Sequence, residues 1–75
     1  MKNTQWVHNR LSLFLPKASI EVHDPRGDDQ HLSLIIKDAS FQGKTLVQCH
    51  QLIYKILDNL REGQIHALSI DAKPE

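Results

Sequence analysis

Apolar residues recur along this chain in two different rhythms, and the change of rhythm marks the elements. From Leu46 the stripe Leu46, Cys49, Ile53, Ile56 or Leu57, and Leu60 returns every three to four positions, with Leu52 widening it. That period predicts one long amphipathic helix with a buried face. Gly63 supplies the stop, because glycine accepts the left-handed conformation that helix ends often need. A weaker helical stripe, Trp6, Val7, Arg10, Leu11 and Phe14, predicts a first helix over residues 3–14, capped by Asn3 or Thr4. Trp6 is read as a core residue of that stripe. Leu15-Pro16 ends the helix, since a residue before proline is pushed out of the helical region.

Between the two helices the period drops to two. Ala18 to His23 alternates small or apolar with polar residues, as a half-buried strand does. The loop DPRGDD breaks it with Pro25 and Gly27. His31 to Lys37 carries the strongest strand signal, with Leu32, Leu34 and Ile36 on one face and Ile35 on the other. The two runs read as an antiparallel hairpin. Phe41 is expected to pack beneath the long helix, and Ile65 to Asp71 to form a last strand headed by His66. The tail from Ala72 to Glu75 is expected to fray. The order helix, strand, strand, helix, strand predicts an α+β domain of two layers, a three-stranded sheet with helices on one face. Residues 1–75 are read as one domain.

Composition narrows the function. With 75 residues and formal net charge zero, the chain lacks the concentrated basic surface of many nucleic-acid binders. No run approaches the roughly 18 apolar residues of a membrane span. The first ten residues show no apolar core of a secretory signal, so a cytoplasmic location is expected. One cysteine excludes an internal disulfide and a four-cysteine metal site, while five histidines supply candidate metal ligands. The acids of DPRGDD lack the spacing of a calcium loop and are read as a solvated turn. Cys49 on the apolar stripe is read as a small buried hydrophobe. Its neighbour His50 points away from it around the helix, so no Cys–His nucleophile is expected. His23, His31 and His66 fall at strand ends. They are read as surface or hydrogen-bonded histidines, or as an incomplete metal site that a partner completes.

The segment FQGKTLVQCHQLIYKIL, followed by IHALSI, resembles the signature of the BolA family. The matching positions are Phe41, Gly43, Lys44, His50, Ile53, Tyr54, Leu57, Ile65, His66, Ala67, Leu68 and Ile70. HLSLIIKDASF upstream is similar to the family's second strand, so the resemblance runs from the first helix to the last strand. Cys49 stands where the family commonly carries arginine, a departure that would alter a basic contact surface. The resemblance implies the αββαβ arrangement of the class II KH fold. It implies pairing with a monothiol glutaredoxin to share a [2Fe–2S] cluster, the glutaredoxin and glutathione supplying thiols. The family's histidine ahead of the last strand maps to His66, and its hairpin-loop ligand to His31, with His23 the alternative. His50 is read as structural or interfacial. Some family members are described as transcriptional regulators, so DNA is a rival partner, through Lys37, Lys44 and Lys55. Against it, no GXXG clamp is present. No acid–base pair suggests an enzyme. Whether the chain forms a homodimer when alone stays open.

Overall fold

The computed structural model describes residues 1–75. Helix α1 spans Asn3–Phe14, with Val7 and Leu11 fully buried. It closes where expected: Leu15, ahead of Pro16, leaves the helical region at φ −128° and ψ 73°. Its start differs from the expectation. Lys2 is the N-cap and its side chain makes no capping bond. The carboxylate that caps this helix is Asp29, from the hairpin loop, which accepts from the Asn3 N–H at 3.0 and 2.9 Å.

Strand β1 (Ser19–His23) pairs antiparallel with β2 (His31–Lys37), Ile20 opposite Ile36 and His23 opposite Ser33. Strand β3 (Ala67–Lys73) adds parallel to β2, with His31 opposite Ala67. The sheet order β1-β2-β3 puts β2 in the centre, which is why it carries the strongest apolar alternation. Leu32, Leu34 and Ile36 are buried as expected. Two boundaries shift. β3 starts at Ala67 rather than Ile65, so His66 sits one residue ahead of it. It also extends through Ala72 and Lys73, which pair with Ile36 and Lys37, so only Pro74 and Glu75 lie beyond it.

A 3-10 turn, Ala39–Phe41, buries Phe41 and leads into α2 (Leu46–Ile56). Thr45 opens α2 with a reciprocal capping box. Its hydroxyl accepts from the Gln48 N–H at 3.2 Å, and Gln48 Oε1 accepts from the Thr45 N–H at 2.9 Å. Cys49, Ile53 and Ile56 face the core. Leu46 does not: as the first helical residue it is 65% exposed, beside the equally open Val47.

The long helix also ends earlier than its apolar spacing predicts. From Asp58 to Glu62 every φ lies between 49° and 63°, a left-handed turn that costs roughly 1–2 kcal/mol per residue for side chains with a Cβ. Arg10 accounts for the break at its beginning. Its Nε donates to the Ile56 carbonyl at 3.0 Å, the group a continuing helix would have used, and its Nη2 meets Asp58 Oδ2 at 3.0 Å. Leu57 and Leu60 still reach the core, and Gly63 at φ 91° closes the turn.

The buried cluster joins Val7 and Leu11 of α1, Cys49, Ile53 and Ile56 of α2, and Leu32, Leu34, Ile36 and Leu68 of the sheet. Both helices therefore cover one face. The opposite face, carrying Glu21, His23, Ser69 and Asp71, stays exposed. No helix is long and apolar enough to cross a membrane. Trp6 is half-buried at the edge of the cluster, corrected from a core position. The guanidinium carbons of Arg10 and Arg61 lie 5.9 and 5.2 Å from its ring centroid.

Candidate functional site

The hairpin loop is organised by its own carboxylates, which is more than the solvated turn the sequence suggested. Asp24 accepts from the Gly27 N–H at 3.0 Å and from the Asp29 N–H at 2.9 Å. Asp28 Oδ1 accepts from the backbone N–H of Gln30 and of His31, each at 3.0 Å, while Oδ2 lies 2.7 Å from His31 Nδ1. Those backbone bonds, and then the imidazole, hold the Asp28 carboxyl well below the usual carboxylate range. Asp29, at φ 58°, turns its carboxylate onto the start of α1, reaching the Thr4 N–H at 3.4 Å as well.

A second loop brings in His66. Gln30 O accepts from the N–H groups of His66 and Ala67 at 2.9 and 3.0 Å, which ties the start of β3 to the start of β2. Asn3 joins both loops to α1. Its Nδ2 donates to Asp29 O at 2.7 Å and to Gln64 O at 3.1 Å, and its Oδ1 accepts from Arg61 at 2.8 Å. The side chain is buried with all these bonds made, as a buried amide requires. Asn3 is thus a clasp between the loop before His31 and the turn before His66.

The result is a pair of imidazoles at one end of the sheet. The ring centroids of His31 and His66 are 4.8 Å apart, with the planes at 51°. His31 is half-buried and anchored through Nδ1, and His66 is exposed. His23 is not drawn into this pair; its Nε2 lies 3.6 Å from Glu21 on its own strand. No third His, Cys, Asp or Glu joins to make a metal-holding group within the chain. His50 is elsewhere, on α2, with Nε2 buried and unpartnered. Cys49 is a buried free thiol, as its place on the stripe implied. Lys44 is exposed, and its Nζ donates to the Ser40 carbonyl at 2.8 Å.

His31 and His66 were legible in the sequence; Asp28, Asp29 and Asn3 were not. A signal for Asp28 was present in its spacing, three residues before His31. An aspartate there can accept from the following backbone and from the imidazole together. Asn3 and Asp29 carry no such local sign, because they meet across 26 positions.

Three antiparallel-then-parallel strands under two helices, in the order αββαβ, define a class II KH-like α+β fold with a two-histidine end. The model of the family described as BolA-like protein matches residues 10–75. The chain belongs to the BolA family, and with it to a group of proteins that are not enzymes. Protein RP812 of Rickettsia prowazekii (strain Madrid E) is 34% identical over 60 residues, covering 80% of this chain and 78% of that protein. The BolA domain of SufE1 from Arabidopsis thaliana superimposes with a TM-score of 0.84 at 35% identity, covering 99% of this chain and 93% of that one. The DNA-binding transcriptional regulator BolA of Haemophilus influenzae is 38% identical over 48 residues, or 64% of this chain. The chain spans 47% of that regulator's length.

Two imidazoles fit iron, which accepts nitrogen as well as sulfur donors. Each would bind through a neutral ring nitrogen. His31, with Nδ1 engaged, offers Nε2. A metal held by this pair would need further ligands, since no third His, Cys, Asp or Glu is grouped with it.

Proposed function

We propose that this protein pairs with a monothiol glutaredoxin and co-ligates a [2Fe–2S] cluster through His66 and His31, in iron–sulfur trafficking or iron-dependent regulation. The observation that carries the reading is the His31–His66 pair, 4.8 Å between centroids, held by both loops and short of the ligands a metal needs. The partner's cysteine and a glutathione thiol complete the set. When bound in this way, a cluster with imidazole in place of thiolate carries less negative charge and a higher potential.

The chain's own residues do three things in this scheme. The Asn3 clasp and the Gln30 carbonyl hold the loop before His31 against the strand that follows His66. The exposed ring of His66 meets the partner, and the half-buried ring of His31 backs it. Both imidazoles must be neutral to bind, so acid competes with ligation. His23, on Glu21, takes no part. A cytoplasmic site of action goes with this proposal, although a plant relative is named chloroplastic/mitochondrial.

The test is a titration into glutathione-bound [2Fe–2S] monothiol glutaredoxin, followed by visible absorption and circular dichroism. The expected result is a new cluster spectrum at one-to-one stoichiometry, abolished by His66→Ala and weakened or abolished by His31→Ala. A spectrum that wild type leaves unchanged overturns the reading.

The Haemophilus relative's name supports a second reading, DNA binding in a transcriptional regulator. Its surface would be Lys37, Lys55 in the last turn of α2 and Lys44 just ahead of its start, all exposed. The backbone donors at the start of α2 are already partly taken by the Thr45 capping box, which weakens a phosphate site. Affinity for duplex DNA that falls steeply with salt would favour this reading.

A further inference from the structure

We infer that Asp28 is the positioning residue of the site, presetting His31 in the tautomer whose Nε2 is a free ligand. The inference rests on the proposed ligand role of His31. It extends the site to Asp28, which in the sequence reads only as part of a solvated turn.

An ionised carboxylate can only accept hydrogen bonds. With Asp28 Oδ2 at 2.7 Å from His31 Nδ1, the proton of the neutral imidazole belongs on Nδ1. The lone pair is then left on Nε2, the atom on the far side of the ring. The carboxylate is itself fixed, because Oδ1 accepts from the N–H groups of Gln30 and His31 at 3.0 Å each. Turning away would give up both of these bonds. One side chain thus sets the loop backbone, the ring orientation and the tautomer together. A carboxylate hydrogen-bonded to the outer nitrogen of a metal-binding histidine does this in many metal sites, and raises the basicity of the ligating nitrogen.

His66 is the contrast. Its backbone is tied to Gln30, but its ring makes no hydrogen bond to the chain. Its tautomer is free to follow the incoming metal. The pair is therefore asymmetric, with one ligand preset and one adaptable.

The discriminating variant is Asp28→Asn, which is isosteric and separates the tautomer from the fold. Its amide oxygen can keep the two backbone bonds, whereas its NH2 faces Nδ1 and donates to it. The imidazole proton then moves to Nε2 and blocks the ligand position. The measurement is nitrogen-15 NMR of the free protein at a pH where imidazole is neutral, with Zn2+ titration as the metal probe. Expected are an Nδ1–H tautomer for His31 in wild type and an Nε2–H tautomer in Asp28→Asn. Zn2+ affinity should fall about 10–100-fold in the variant, with the amide spectrum of the sheet unchanged.

An Nε2–H tautomer in wild type overturns the inference without reference to any variant. So does a variant that inverts the tautomer yet binds Zn2+ as wild type does. Because the tautomer is read without glutaredoxin or a cluster, its outcome stays separate from that of the glutaredoxin titration.

Discussion

The entrance to α2 and the histidine end of the sheet are both closed by polar hydrogen bonds, but of very different reach. At the entrance, Thr45 and Gln48 exchange two bonds over three residues and need nothing else. At the histidine end, Asn3 bonds to Asp29, Arg61 and Gln64, and Asp29 returns its carboxylate to Asn3. A local motif forms wherever its few residues occur. A clasp over distant segments forms only when the core has already brought α1, the hairpin and the turn after α2 together. The first stabilises an element; the second fixes the distance between two side chains on different loops.

The comparison breaks most sharply at Asn3. Asn3→Ala removes three side-chain bonds and strands the carbonyls of Asp29 and Gln64 and the Arg61 guanidinium. A loss of about 2–3 kcal/mol is expected in urea unfolding. The NMR signals of both His31 and His66 should shift, because both loops lose their anchor. If only the signals of α1 respond, the clasp does not set the pair.

Thr45→Ala is the local counterpart. It should cost about 1 kcal/mol, which lowers the melting temperature by roughly 4–8 °C in a domain of this size. The His31 and His66 signals should stay in place. A shift of the pair in this variant would mean that the two ends are coupled through α2.

The smallest expected effect is a pH slope. The Asp28 carboxyl titrates below its ordinary value of 3.8 in the folded protein, held down by the backbone N–H groups of Gln30 and His31 and by the imidazole. A depressed folded value means stability that is complete above the unfolded value and is lost as pH falls towards the folded one. The stability difference between wild type and Asp28→Asn should therefore shrink as pH drops below 3.8 and hold steady above it. Acid unfolding curves that stay parallel through that window would show that Asp28 gains nothing from its contacts.

The same division of local from distant explains what could be read beforehand. Helix α1, strand β2 and the αββαβ order follow from periods of apolar residues, which act over one or two turns. Family signature residues placed His66 ahead of the last strand and His31 at the start of β2, where the structure has them. The end of α2 was misread because Ile56, Leu57 and Leu60 continue a helical spacing. Arg10, on another helix, takes the Ile56 carbonyl and the chain turns left-handed instead. Leu46 was misread because the stripe does not reveal which of its members lies at an exposed first turn. Trp6 was misread because its stripe does not reveal that the ring lies at the edge of the core, beside Arg61 on the turn after α2.

By itself, the sequence determined the elements, the buried faces of β2 and α2, and the histidines that fall at strand ends. Those depend on side-chain period and on backbone preference, both of which are local. Only the tertiary structure decided that β3 runs parallel beside His31, that His66 rather than His23 stands next to it, and that Asn3 and Asp29 hold the loops there. Register, and hydrogen bonds across 26 to 61 residues, depend on how packed layers meet, and no short stretch of chain carries that information.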